Sequence, residues 1–165
     1  MKEGLAVLGV LNTLQTEAGL LEQVFCGGAP TLSAATLLSI FTVDYSPRGS
    51  SRRALEEVAV GNWRDWLILV EDGDAVVQEE GGDSMQVSLE DVLIFASGAS
   101  AIPAFGFEGT PTVTFLHDNL CGARRLFPEA NTCAISIKLP LGHAFDEFCR
   151  YMTSGIIQSP TFGRI

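Results

Sequence analysis

One cysteine lies where a side chain could act as a nucleophile. Cys133 follows the polar residues Asn131 and Thr132, which indicate a loop. It precedes an apolar and polar alternation from Ile135 to Leu139, which is typical of a half-buried strand. A thiol at such a junction is held by a sheet on one side and stays open to a large partner on the other. The position therefore favours a reactive role for Cys133.

The other cysteines have less suggestive surroundings. Cys149 lies on an apolar helical stripe and Cys26 at a predicted helix end, so both are expected to be structural, and Cys121 is expected to be an exposed bystander. The four cysteines form no Cys-x-x-Cys pair, and the chain is large enough to fold without disulfides. We therefore expect free thiols in a reducing compartment, the cytoplasm or the nucleus.

The first half of the chain is predicted to be helical. Two helical pieces are expected in residues 2–25, and a third helix is expected after a cap at Thr31 or Ser33. A longer helix is predicted from about Arg53 to Val70, because its apolar residues recur at steps of three and four. The residues that define this face are Leu55, Val58, Ala59, Trp63, Trp66, Leu67 and Val70.

A glycine-containing acidic segment, residues 71–87, separates the two halves of the sequence. It contains six acidic residues, three glycines and no base, which predicts a solvated loop or a hinge between domains. The organisation predicted is a helical segment at 1–70, a linker at 71–87 and a mixed domain at 88–165.

The second half combines helices and strands. Ser88 and Asp91 form a predicted capping box, after which Leu89, Val92, Leu93 and Ala96 share one helical face that ends at Gly98. Residues 112–116 are strand-like, and the positions of Phe145, Phe148, Cys149, Met152 and Ile156 predict a final helix. The fold class predicted is therefore α+β, a small mixed domain preceded by a helical segment.

The passage around Cys133 resembles the catalytic-cysteine loop of HECT-type ubiquitin ligases. In that family a Thr-Cys pair precedes a short strand that ends in Leu-Pro, as Thr132-Cys133 and Leu139-Pro140 do here. The runs 93–98 with 102–103 and 159–163 resemble the start and the tail of the family's C-terminal lobe. The runs 49–53 and 63–67 resemble, more weakly, the end of the N-terminal lobe in relatives of the cell-cycle HECT ligases.

This resemblance implies a ubiquitin-protein transferase. Cys133 would form a glycyl thioester with ubiquitin taken from a conjugating enzyme and pass it to a substrate lysine. Thr132, Asn131 and Phe162 would support the reaction, although many family members carry histidine where Asn131 stands. Residues 71–87 would resemble the hinge between the two lobes. A full HECT domain is roughly twice this length, so the resemblance implies that most of the N-terminal lobe is missing; whether the remainder is active alone or needs another chain is left open.

Other chemistries lack the residues that they need. A cysteine protease requires a histidine beside the thiol, and neither His117 nor His143 can be placed there from the sequence. Exchange between thioesters is less demanding, because the leaving thiolate is already a good one. Arg124 and Arg125 could raise the thiolate fraction of Cys133 if the loop brings them close, although a solvated surface is the usual place for such a pair.

Composition and motifs exclude several function classes. The net charge of -10, from 20 acidic and 10 basic residues, argues against unaided binding to nucleic acid or to an anionic membrane. No apolar run is long enough to span a bilayer, and no nucleotide-binding, hydrolase or zinc motif occurs. No metal or cofactor is expected. A non-catalytic HECT-like module that binds ubiquitin or a partner ligase is the alternative.

Overall fold

The computed structural model describes residues 9–17, 19, 31–78, 84–117 and 125–159. In this part of the chain the fold is α+β, which confirms the class predicted from the sequence. Two compact units are present. Of the described residues, 9–17, 19, 31 and 102–106 belong to the first unit, and 32–78, 84–101, 107–117 and 125–159 belong to the second.

The first unit contains one described helix and one tight turn. Helix α1 (Val10–Thr16) begins after Gly9, whose φ of 72° places it in the left-handed region. The turn is closed by the N–H of Gly106, which donates to the carbonyl of Pro103 at 2.8 Å. The second of the two helical pieces predicted in residues 2–25 lies outside the described residues.

The second unit contains four helices and six strands among its described residues. The helices are α2 (Ala34–Ile40), α3 (Ser51–Asp72), α4 (Leu89–Ser97) and α5 (Phe145–Ile157). The strands are β1 (Thr42–Val43), β2 (Val76–Gln78), β3 (Ser84–Gln86), β4 (Thr112–Leu116), β5 (Glu129–Asn131) and β6 (Ser136–Pro140). None of the described helices is both long and apolar enough to cross a bilayer.

The main sheet has the strand order β1-β4-β6-β5. Strands β1, β4 and β6 run parallel, and Thr112 and Ser136 are register partners at the start of β4 and β6. The edge strand β5 runs antiparallel to β6 and pairs Asn131 with Ser136. Strands β2 and β3 form a separate antiparallel hairpin. The short connection from β5 to β6 is thus the passage that carries Cys133.

Helix α3 anchors the core. It packs against β6 and α5, and the indole Nε1 of Trp66 donates to the Thr153 hydroxyl of α5 at 3.1 Å. Trp63 and Trp66 are both fully buried and stack at 5.4 Å between ring centroids. The predicted buried face of α3 is wrong at two positions. Leu55 and Val58 are 49% and 58% exposed, whereas Glu56 is completely buried.

Helices α4 and α5 agree closely with their predicted patterns. Ser88 and Asp91 form the capping box of α4, and Gly98 ends the helix with a φ of 74°. All four residues expected on the apolar face of α4 are buried, namely Leu89, Val92, Leu93 and Ala96. The stripe of α5 buries Phe148, Met152 and Ile156, while Phe145 and Cys149 are half-buried.

The described residues of the segment 71–87 contribute to a helix and to two paired strands. Glu71 and Asp72 complete helix α3, and Gly73 caps it with a φ of 84°. The hairpin of β2 and β3 follows, and Val87 at its end is fully buried. The described residues of this segment lie in the same compact unit as those that flank it. The division at 1–70, 71–87 and 88–165 into parts of two family lobes stays a prediction.

Candidate functional site

Cys133 lies at an exposed turn between β5 and β6. The turn spans residues 132–135, and Cys133 is a free, exposed thiol within it. The Oδ1 atom of Asn131 accepts hydrogen bonds from the backbone N–H groups of Cys133 and Ala134, at 3.1 and 3.2 Å. A short polar side chain that bonds to backbone two and three residues further on is a common way to close a turn.

The sheet holds the far end of this turn. Ile135 has a φ of 48°, in the left-handed region that a β-branched residue rarely adopts. Its carbonyl accepts a hydrogen bond from the N–H of Thr112 in β4 at 3.0 Å. The strand therefore begins at Ser136, one residue later than the predicted alternation. Both ends of the turn are tied to paired strands, whereas the thiol at its centre faces outward.

The loop before β5 is packed tightly against helix α5. Pro128 is buried, and a Cβ atom built on Gly155 would lie 2.6 Å from its Cδ atom. Phe127 meets the ring of Tyr151 edge-on at 5.6 Å between centroids. A glycine in α5 is thus required for the close approach of the segment that leads to the turn.

A cleft of about 610 Å³ lies next to this turn in the second unit. Asn131 and Thr132 contribute to its lining, together with Glu129 and Ala130 of the edge strand. Ile94 and Phe95 of α4 and Ile156 and Ile157 of α5 supply apolar surface. The arrangement places a partly apolar depression beside an exposed thiol.

The supporting residues named from the resemblance are only partly brought together. Asn131, Thr132 and Cys133 are consecutive and all exposed. Thr132 lies over the end of α4, since a Cβ atom on Gly98 would be 3.9 Å from the Thr132 Cβ and Cγ2 atoms. Phe162 lies outside the described residues, so its predicted role stays a prediction.

Comparison with known proteins connects the chain to ubiquitin ligases. It is similar to proteins named G2/M phase-specific E3 ubiquitin-protein ligase, at 33% identity in Homo sapiens, 32% in Macaca fascicularis and 29% in Gallus gallus. Each match covers 147 residues, which is 89% of this chain and 17% of the relative. The chain is related in sequence to E3 ubiquitin-protein ligases. It spans about 17% of the length of these curated relatives. No family model matches the chain.

Each of the two histidines lies near a glutamate side chain. His117 Nε2 lies 3.0 Å from Glu56 Oε1. His143 is buried beside the ring of Tyr151, and its Nδ1 atom lies 3.6 Å from Glu147 Oε2. A protease-like arrangement would place an imidazole within about 3.2 Å of the thiol. Among the described residues, no hydrogen bond or ion pair joins either imidazole to Cys133.

Arg125, one of the two arginines considered as neighbours of the thiol, forms an ion pair with Glu129 at the start of β5. Arg124 lies outside the described residues. Both Arg125 and Glu129 are partly exposed, so this contact contributes little to stability. The proposal that the arginine pair activates Cys133 stays a prediction.

The second free cysteine, Cys149, has a chemically different environment. Burial and the nearby carboxylate of Asp146 raise the pKa of the Cys149 thiol to about 11. Since the thiolate is the reactive form, this raised pKa keeps Cys149 in its unreactive thiol form at neutral pH. This contrast with the exposed Cys133 agrees with the structural role expected for Cys149.

A buried carboxylate in α3 was not anticipated from the sequence. Glu56 accepts hydrogen bonds from the Ser46 N–H at 2.7 Å and from the Ser46 hydroxyl at 2.6 Å, and it contacts His117. Burial alone raises the pKa of Glu56, but the Ser46 hydrogen bonds and the attraction of His117 outweigh it and lower that pKa. This cluster ties the loop before α3 to the end of β4.

Among the described residues, no group of three or more histidine, cysteine, aspartate or glutamate side chains could hold a metal ion.

Proposed function

We propose that this chain is the ubiquitin-carrying part of a ubiquitin-protein ligase, with Cys133 as the residue that forms the glycyl thioester. The observation that carries the proposal is the free, exposed thiol on a turn held by two strands. Its sequence similarity to E3 ubiquitin-protein ligases supports the same reaction class. The mechanism proposed is the HECT type, in which a cysteine of the ligase itself carries ubiquitin.

The chemistry requires two exchanges at one sulfur atom. The Cys133 thiolate attacks the carbonyl carbon of the thioester between the ubiquitin C-terminal glycine and the conjugating enzyme. A new C–S bond forms, the old one breaks, and the cysteine of the conjugating enzyme leaves as a thiolate. The amine of a substrate lysine then attacks the new thioester, an amide bond forms, Cys133 leaves as a thiolate, and the amine proton passes to solvent. No oxidant or metal is needed for either step.

The partners proposed are ubiquitin, a ubiquitin-conjugating enzyme and a protein substrate with an accessible lysine. Free thiols at Cys133 and Cys149 suit a reducing compartment, and we propose the cytoplasm or the nucleus. Thr132 is proposed to fix the turn beside Gly98, and Phe162 to assist transfer to the lysine. Recruitment of the conjugating enzyme is proposed to need a further part of the protein or another chain.

The test separates thiol chemistry from recruitment of the conjugating enzyme. The chain is incubated with ubiquitin activated as a small-molecule C-terminal thioester, and in parallel with a conjugating enzyme already charged with ubiquitin. Electrophoresis without reductant detects an adduct one ubiquitin larger, and thiol reductant should remove it. We expect this adduct with wild-type protein and none with Cys133→Ala.

Cys149→Ala is the matched control, because it removes the other described free thiol and leaves the turn intact. It should form the adduct at the wild-type rate. An adduct that survives in Cys133→Ala but disappears in Cys149→Ala would refute the assignment. Adduct formation from the small-molecule thioester alone would indicate that recruitment, not chemistry, resides elsewhere.

The alternative is a non-catalytic module that binds ubiquitin or a partner ligase. The cleft of about 610 Å³ beside the turn favours it, since a concave and partly apolar surface suits binding without any reaction. Ubiquitin binding that is unchanged in Cys133→Ala, with no reductant-sensitive adduct in the wild type, would support this alternative.

A further inference from the structure

Asn131 makes the hydrogen bonds that define the turn around Cys133. Its Oδ1 atom accepts from the Cys133 N–H at 3.1 Å and from the Ala134 N–H at 3.2 Å. Within residues 131–136, all of which the structure describes, no other side chain hydrogen-bonds to this backbone. Asn131 is therefore the side chain of this segment whose hydrogen bonds restrain the centre of the turn.

The remaining restraints act on the ends of the turn and not on its centre. Ile135 is held by the Thr112 N–H, and Asn131 is paired with Ser136 across the sheet. Thr132 lies over Gly98 without a hydrogen bond in the described region. Cys133 and Ala134 are both exposed. Without the Asn131 bonds, these two residues would sample other backbone conformations.

We propose that Asn131 is a positioning residue for the thioester reaction at Cys133. It holds the backbone of Cys133 so that the thiol points outward, and it touches neither the sulfur nor the carbonyl that the sulfur attacks. This inference rests on the proposed function.

The test uses two variants that differ in whether the side chain at position 131 keeps a hydrogen-bond acceptor. Asn131→Leu keeps the branching of the side chain but has no acceptor, and Asn131→Ser keeps an uncharged acceptor close to the backbone. Each is made in a chain whose other three cysteines are replaced by alanine, so that only Cys133 reacts. Amide hydrogen exchange at Cys133 and Ala134 reports closure of the turn, and ubiquitin thioester exchange reports the reaction.

Each neutral hydrogen bond shifts a local equilibrium by about two- to tenfold. In Asn131→Leu we therefore expect exchange of the Cys133 and Ala134 amides to be about tenfold faster. Thioester formation from the small-molecule donor should have a kcat about tenfold lower, with KM for the donor unchanged. Asn131→Ser should restore both values to within about threefold of the starting protein. Thermal unfolding should be nearly the same in all three, because the turn is exposed.

Two outcomes would overturn the inference. Unchanged amide exchange in Asn131→Leu would mean that the turn is held by something else. Thioester formation that is unchanged or faster in Asn131→Leu, despite faster amide exchange, would mean that the reaction does not need the closed turn. The exchange measurement needs no ubiquitin, so it tests whether Asn131 holds the turn even if Cys133 forms no thioester. Absence of the thioester in the starting protein would instead refute the proposed function, so the two failures are distinguishable.

Discussion

The contact between Gly155 and Pro128 predicts opposite effects for the same substitution in two helices. A Cβ atom at Gly155 would lie 2.6 Å from Pro128 Cδ and 3.0 Å from its Cγ, well inside the favourable 3.5–4.0 Å carbon separation. At Gly61 in α3, a Cβ atom would meet nothing within 4 Å. Gly155→Ala should therefore be destabilising and Gly61→Ala stabilising.

The magnitudes follow from two terms. Alanine is favoured over glycine in a helix interior by about 0.8–1.0 kcal/mol, and this gain applies to both variants. At Gly155 the ring of Pro128 must move by roughly 1 Å, and overpacking of this kind costs about 1–3 kcal/mol. We expect Gly61→Ala to gain about 1 kcal/mol and Gly155→Ala to lose up to about 2 kcal/mol. At this chain length each kcal/mol corresponds to a Tm change of about 2–4 °C.

Urea unfolding followed by tryptophan fluorescence measures both free energies, and a double-mutant cycle identifies the cause. Pro128→Ala removes the Cγ and Cδ atoms, so it should recover most of the loss when combined with Gly155→Ala. Equal stabilisation by Gly155→Ala and Gly61→Ala would refute the reasoning, because it would show that the loop does not press on the helix. Pro128 immediately precedes β5, so Gly155→Ala should also increase amide exchange in the Cys133 turn.

Three further predictions concern buried polar groups. Trp66→Phe should lower the free energy of unfolding by about 1–3 kcal/mol, measured by urea titration, because the Thr153 hydroxyl loses its buried donor. Glu56→Gln should also destabilise. The pKa of Glu56 is lower in the folded chain, so the stability that ionised Glu56 contributes to the wild type should be lost as the pH falls below about 4.5. Glu56→Gln should lose less stability than the wild type over the same pH range. The pKa of Cys149 is raised to about 11 in the folded chain, so its thiol ionises at a lower pH in the unfolded chain than in the folded one. The free energy of unfolding should therefore fall as the pH rises from about 9 to 11. Cys149→Ala should show a smaller loss in the same alkaline titration.

Elements whose signals are local could be predicted from the sequence. Helix α4 carries its own start signal, the Ser88 and Asp91 capping box, and its own stop signal at Gly98. Its apolar face needs only a spacing of three and four residues to be recognised. The sequence therefore predicts both the ends and the buried side of α4, and the structure confirms both.

Short strands could not be predicted, because their stability comes from pairing. Glu129–Asn131 is polar and was expected to be loop, yet it forms the edge strand β5 by pairing with β6. The hairpin of β2 and β3 is a similar case, since each strand has three residues and the surrounding sequence is acidic. Three residues have too little intrinsic preference to be assigned without knowledge of their partner. The local setting of Cys133 was thus predicted as a loop-to-strand junction, but its anchoring by β5 was not.

The rotation of α3 about its axis has a different physical origin. The spacing of apolar residues assigns Leu55 and Val58 to the buried side of α3. It assigns Glu56 to the exposed side, because burying a carboxylate is costly unless it is hydrogen-bonded. Glu56 meets that condition through Ser46, which lies in the preceding loop, and through His117, which lies at the end of β4. Neither partner is identifiable by periodicity in the helix. Because Ser46 and His117 together make three polar contacts with Glu56, the first turns of α3 direct Glu56 inward and leave Leu55 and Val58 exposed. If that account is correct, Glu56→Leu should retain the helix but lose the attachment of the Ser46 loop, visible as faster amide exchange at Ser46.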